Sequence, residues 1–318
     1  WVVVDEVQRA PHLLDEVQRL MGMGEKRLRF VLSGSSARKL RRGASNLLAG
    51  RAEVRHLFPF VSRELDFKRG LDESLEHGLL PLAVLGSRPR AFLKSYVETY
   101  LHEEIQAEAL VRQIGPFARF LEVAARMNGQ VVNVSGIARD AGVARPTVQD
   151  YFQILIDTFL ASWLPAWKLK PSVKEVRHPK LYLFDTGVTR HLAGFGHLPV
   201  HPEERGFLLE SNLLHEIRAY LHYSDLDYPV FYWRTHAGAK VDFLIDTPKG
   251  VVAIEVKAAE RWQPKYHAGI AKLRGERPRA TLRAFGVYTG KRALEEDGVR
   301  VLPWRDFLRA LWDGVIAS

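Results

Sequence analysis

Cysteine is absent from the 318 residues. Disulfides, zinc–thiolate centres and cysteine nucleophiles are therefore excluded, and the composition suits a cytoplasmic protein. Long hydrophobic runs are also missing. The longest, around 79–85, falls far short of the roughly 20 residues a membrane-spanning helix needs, so no membrane role is expected. No charged leader runs into an apolar stretch, and nothing reads as a secretion signal. Low-complexity tracts and internal repeats are absent. What the chain has in excess is positive charge, +9 from 46 basic and 37 acidic residues. That balance favours a polyanionic partner such as DNA, although the basic residues are spread out and cluster only at Arg38-Lys39-Leu40-Arg41-Arg42. The length allows about two or three domains.

The chain opens on WVVVDEVQR. The β-branched run Val2-Val3-Val4 reads as a strand covered on both faces, closed by Asp5 and Glu6. With no polar leader ahead of it, this start reads as the middle of a domain. A helix over 12–21 and a strand over 28–32, followed by Ser33-Gly34-Ser35-Ser36, complete a strand–helix–strand pattern and predict a parallel α/β sheet. The segment 88–110 is helical by spacing. Helices are then expected over 117–127, 134–141 and 146–160, with Gly142 in the turn and Pro146 in the first turn of the third. This is a helix-turn-helix arrangement. A final α/β unit follows, with a short strand at 181–184, a helix over 207–221, strands over 230–234, 241–245, 251–256 and 284–288, and a terminal helix.

The strongest local chemistry is Val241-Asp242-Phe243 with Ile254-Glu255-Val256-Lys257. Both alternate as half-buried strands. A hairpin symmetric about 248 and 249 sets position 242 opposite 255 and Lys240 opposite Lys257. Two facing carboxylates require a cation or a shared proton between them. Lys257 offers partial compensation and a divalent metal would offer more. Asp185 ends an apolar strand and is expected to cap the following helix. His197 and His201 have the spacing of a helical metal pair. Pro199 and Pro202 break any helix there, so the segment reads as a loop.

The stretches VVVDEVQRAP, FVLSGSSARKL, NLLAGRAEVRHLFPF, SYVETYL, GVARPTVQDYF, HPKLYLFDTG, VDF and IEVK together resemble a family, the bacterial and archaeal ATPases of the AAA superfamily that carry a C-terminal domain of unknown function. The resemblance implies an α/β fold in four parts: a partial P-loop ATPase core over 1–66, a helical lid over 67–115, a winged-helix unit over 116–178, and a restriction-endonuclease-like PD-(D/E)XK domain over 179–318. It implies ATP and Mg²⁺ as cofactors. Asp5 would order the magnesium shell and Glu6 polarise the attacking water. Ser33 and Ser36 would sense the γ-phosphate, and Arg51 would reach the transition state of a neighbouring subunit in a homo-oligomer.

The family's phosphate-cradling segment, Gly-x-x-x-x-Gly-Lys-Ser/Thr, occurs nowhere in these residues. The chain therefore reads as the C-terminal part of a longer ATPase or a degenerate copy, with weak or no ATP binding of its own. The nuclease-like core would gather Glu210, Asp242 and Glu255 around Mg²⁺ or Mn²⁺, with Lys257 activating water and Arg234 and Lys240 on phosphate. The helix-turn-helix would offer Arg145, Thr147 and Gln149 to base edges. Two positions depart from the family. Ala144 stands where a Ser is common, and Lys240 where an acid is common. The implied function is ATP-dependent action on DNA. The alternative is a non-catalytic DNA- or protein-binding regulator that keeps a degenerate nuclease fold.

Overall fold

A computed structural model describes residues 1–10, 12–23, 28–34, 52–100, 114–168, 178–276 and 281–317. Ser36, Arg51 and the basic cluster at 38–42 lie outside the described residues.

The opening unit is β1 (Val2–Val4), a single 3-10 turn, α1 (His12–Gly22) and β2 (Phe30–Leu32). The strands pair in parallel, Val2 with Phe30 through Val4 with Leu32. Leu14 and Val17 lie on one stripe of α1 and join Val7 against Val4, Phe30 and Leu32. The expectation of a strand covered on both faces does not hold among the described residues. One helix covers one face only, and Val3 stays 69% exposed.

Short helices α2 (Leu71–His77), α3 (Pro81–Leu85) and α4 (Pro89–Ser95) follow, the last widening into a π turn at Tyr96–Tyr100. The rest of the helix expected over 88–110 falls outside the described residues.

Next come α5 (Ile114–Arg126), α6 (Val134–Ala141) and α7 (Arg145–Asp157). Asn133 caps α6 by accepting the Gly136 N–H at 3.1 Å. Gly142 ends it at φ 66°, a left-handed conformation that glycine adopts without a Cβ penalty. The Cα trace can then turn sharply into α7, whose N-cap, Ala144, makes no side-chain bond. Phe117, Phe120, Tyr151 and Phe152 form an aromatic core of edge-to-face and tilted pairs between α5 and α7. Strands β3 (Ala161–Leu164) and β4 (Lys180–Leu183) pair antiparallel behind them, and Val131 bridges to Lys180.

The C-terminal part is built on a six-stranded mixed sheet. Its strands are β5 (Val230–Arg234), β6 (Lys240–Thr247), β7 (Gly250–Lys257), β8 (Leu282–Tyr288), β9 (Leu294–Glu296) and β10 (Val299–Pro303). Their spatial order is β5-β6-β7-β8-β10-β9, with β7, β8 and β10 parallel. Helices α9 (Pro202–Tyr223) and α11 (Trp304–Trp312) pack on one face against Phe243, Ile245, Val252, Ile254 and Val287. Helix α10 (Ala268–Glu276) packs on the other, against Val241, Leu244 and Ala253. Each sheet face is thus apolar, as expected of central strands sandwiched by helices.

Two connections tie this sheet to the segments before it. Helix α8 (Thr186–Leu192) is capped by Asp185, which accepts the Val188 N–H at 2.9 Å and the Leu79 N–H at 2.6 Å. The capping role expected of Asp185 is the one it has. Gly78, at φ 67°, lies so close that a Cβ there would collide with the Asp185 carboxylate. The other connection is at Val61 and Ser62, which sit in the same core as α9 and α11. His201 caps α9 within a capping box completed by Glu204. The loop before it is the one that Pro199 dictates.

Candidate functional site

Asp5 and Ser33 follow β1 and β2 directly, so the parallel register sets them side by side at the carboxyl ends of the strands. The Ser33 hydroxyl donates to Asp5 Oδ1 and accepts the Glu6 N–H at 3.3 Å. Carboxyl ends of parallel strands are where α/β sheets bind ligands. Asp5 is exposed there. Glu6 has φ 52°, a left-handed backbone uncommon for a residue with a Cβ, and lies within 3.9 Å of Arg9. A carboxylate beside a hydroxyl fits the hard oxygen donors that Mg²⁺ favours, with waters completing its shell.

The second constellation is at the heart of the C-terminal sheet. The β6–β7 ladder runs from Thr247 with Gly250 up to Phe243 with Ile254, the register that the two-residue turn predicts. Beyond it, Asp242 Oδ2 accepts the Val256 N–H at 2.9 Å, so the side chain continues the pairing. Glu210 comes to this point from α9, buried on its inner face. Glu210, Asp242 and Glu255, predicted from separate parts of the chain, converge with Lys257.

They do not converge around a metal-shaped space. Lys240 Nζ lies 2.7 Å from Asp242 Oδ1 and 3.7 Å from Glu210 Oε1. Lys257 donates to Glu255. Lys180, on β4, lies 3.2 Å from Glu210 Oε2, and the Tyr182 hydroxyl donates to the same oxygen at 3.2 Å. Three ammonium groups thus stand among the three acidic side chains. Among the described residues no three His, Asp or Glu side chains form a group that would hold a metal ion. The arrangement present does not fit Mg²⁺ or Mn²⁺, because Lys240 supplies the countercharge that a cation would bring.

Burial decides the ionisation of the cluster. It pushes Glu255 up to about 8, and the neighbouring Asp242 charge adds to the shift against the opposing pull of Lys257. Glu255 Oε2 has no hydrogen-bond partner among the described residues, which fits a carboxyl that readily holds a proton. Burial also works against the Asp242 anion. Lys240, Lys257 and Lys180 together overcome it and hold Asp242 below the usual carboxylate range. For Lys240, burial opposes the charge, and Asp242, Glu210 and Glu255 outweigh it, so its pKa is raised. Tyr182 is driven well above the ordinary phenol value by burial and then by Glu210, and it remains a donor.

Lys180 and Tyr182 were not singled out from the sequence. Their signal is present in HPKLYLFDTG, where one lysine interrupts an otherwise apolar strand. A buried lysine is rare unless paired, and its partner Glu210 lies 30 residues on.

The third locus is α7. Arg145 and Gln149 are exposed on it, Thr147 is half-buried, and Asp150 and Gln153 extend the same surface. Gln153 is engaged with Asp157 at 2.8 Å.

Comparison with known proteins adds family to this geometry. The AAA domain family matches residues 1–66. A domain of unknown function (DUF8612) matches 68–198, and a second (DUF4143) matches 205–307. The chain matches an AAA-family protein with a C-terminal domain of unknown function. More particularly, it is 26% identical over 261 residues to an uncharacterized protein of Mycobacterium tuberculosis and, equally, to one of Mycobacterium bovis. The match covers 80% of this chain and 58% of each relative, so the chain spans little more than half of their length. A crystal structure of protein VC1899 from Vibrio cholerae aligns with 98% of this chain and 79% of its own at 13% identity, with a TM-score of 0.25. No helix among the described residues is long and apolar enough to cross a membrane.

Proposed function

We propose that this chain is part of an AAA-family ATPase that couples ATP-dependent switching to the gripping of DNA, and that its C-terminal domain is a nuclease-like fold used for binding rather than cutting. The observation that carries this reading is Lys240 Nζ at 2.7 Å from Asp242 and 3.7 Å from Glu210. An ammonium group in that place holds the acids together without a metal. It also turns the cluster toward phosphate. With Glu255 largely protonated near neutral pH, three lysines face two anionic carboxylates, and the surplus positive charge attracts a polyanion. Lys240 is partly open to solvent, and exposed Arg234 ends the neighbouring strand β5. We read α5–α7 with β3 and β4 as a winged-helix unit, in which Arg145, Thr147 and Gln149 would face DNA. Asp5 and Glu6, with Ser33 beside them, would serve the nucleotide's magnesium and the attacking water.

Incubating this chain and Asp242→Ala with plasmid and single-stranded DNA in Mg²⁺ or Mn²⁺ tests the reading. No cutting by either, with salt-dependent DNA binding by the native chain, is the expected result. Metal-dependent cutting that disappears in Asp242→Ala would overturn it in favour of a nuclease.

The 318 residues contain no phosphate-cradling glycine-lysine segment. Calorimetry on this chain is therefore expected to find ATP binding weaker than micromolar. Micromolar affinity would show that nucleotide is held by other residues.

A further inference from the structure

We propose that the cleft between α9, β3 and the segment 53–55 is a binding site for a small anionic ligand with an apolar body, its charged head held by Arg218. The cleft has a volume of about 420 Å³, within the usual range for small-molecule sites. It lies apart from the carboxylate–lysine cluster, sharing no lining residue with it.

Its floor is apolar. Leu164, Leu214 and Leu221 belong to the main core, and half-buried Trp163 lies beside them. Into this setting α9 projects Arg218, which makes no hydrogen bond or ion pair with the described residues. The acids at the rim do not serve it. Arg55 pairs with both Glu53 and Asp225, and Asp227 acts on His222 instead. Burial alone depresses the Arg218 guanidinium, with no acid offsetting the effect.

Burying a charge without a partner costs stability, and a guanidinium offers a rigid fork suited to carboxylate, phosphate or sulfonate oxygens. A half-buried guanidinium without a partner among the described residues, facing a cleft of ligand size, is explained by an anion that arrives from outside. Arg55 stands at the same rim, while the leucines and Trp163 offer apolar area to the rest of the ligand. Val54, 80% exposed, lies at the mouth.

The test uses the whole chain and 8-anilinonaphthalene-1-sulfonate, whose sulfonate and flat rings match the proposed chemistry, with fluorescence as the readout. Native protein is expected to bind one molecule saturably. Arg218→Gln and Val54→Glu are each expected to weaken binding by about tenfold or more, through the lost charge-assisted bonds and the added anion respectively. Melting adds a readout that a structural arginine would not satisfy, because Arg218→Gln is expected to leave Tm unchanged or raise it. Unchanged dye affinity in either variant overturns the proposal. So does a lowered Tm in Arg218→Gln, which would assign the guanidinium to the fold.

Discussion

Raising the pH from about 6.5 to about 8 is expected to destabilise the native chain by about 2 kcal/mol relative to Glu255→Gln. Glu255 has an ordinary value of 4.5 and rises to about 8 in the folded protein. Between those values the folded state keeps a proton that the unfolded chain has released. Stability from this group is full below 4.5 and is lost as pH climbs through 8. Over the whole window the loss amounts to about 5 kcal/mol. Histidines run the other way. Burial lowers His77, His191 and His222 from 6.5, so stability from them grows as pH rises toward that value. They flatten the acid side of the profile and leave the alkaline side to Glu255. Asp242 titrates below the window and Lys240 above it. Denaturant unfolding of both proteins at several pH values reads the effect. The two curves should meet at acid pH, where a protonated carboxyl resembles the amide, and separate as pH rises. Parallel profiles would show that Glu255 is ionised throughout.

Glu216→Leu is expected to destabilise the chain by about 3 kcal/mol or more. Glu216 is wholly buried, and three donors from separate parts of the chain meet at its carboxylate. Oε1 accepts the Ser62 N–H at 2.8 Å and the Ser62 hydroxyl at 2.5 Å. Oε2 accepts the Trp312 indole N–H at 2.8 Å. Leucine removes the cost of burying a carboxylate but strands three donors, and an unsatisfied buried donor costs about 1–3 kcal/mol. The segment that Ser62 anchors ends the AAA-matching region, and Val61 beside it is seated in the core of the C-terminal sheet. Limited proteolysis in 52–68 should therefore quicken in the variant before the sheet itself unfolds. Ser62→Ala, which keeps the backbone bond, should cost only about 1 kcal/mol. Equal stability of Glu216→Leu and native protein would show that this carboxylate does not hold the segment.

Much of the chain was legible from local pattern. The β-branched run at 2–4 and the helix after it have the expected pairing. Gly142 and Pro146 place the turn between α6 and α7, because each acts through its own backbone dihedral. The hairpin register followed from the length of its turn, and with it the closeness of Asp242 to β7. Asp185 and the proline-broken segment around His201 were readable for the same reason, since capping and helix breaking reach only a few residues.

Long-range relations behaved differently. Period and composition in Val2-Val3-Val4 suggest burial, but burial depends on what packs from elsewhere, and Val3 is exposed. The hairpin alone would set Lys240 against Lys257. In the fold each lysine turns to an acid two residues away on its own strand, and Glu210 from α9 adds a second acid near Lys240. Lys180 reaches Glu210 from β4, across the boundary between the helical unit and the sheet. Arg218 illustrates the same limit, for nothing in HEIRAYLHY marks one arginine as lacking a partner among the described residues.

The sequence by itself determined the elements, their caps, the hairpin register and which acids were available to meet, because dihedral preference and periodicity are properties of neighbouring residues. Tertiary structure alone decided what those acids meet. Coulomb attraction and desolvation depend on distance through space, and only the packing of α9 and β4 against β6 and β7 brings Lys180, Lys240, Glu210 and Asp242 into one buried cluster, with lysines as its counter-ions.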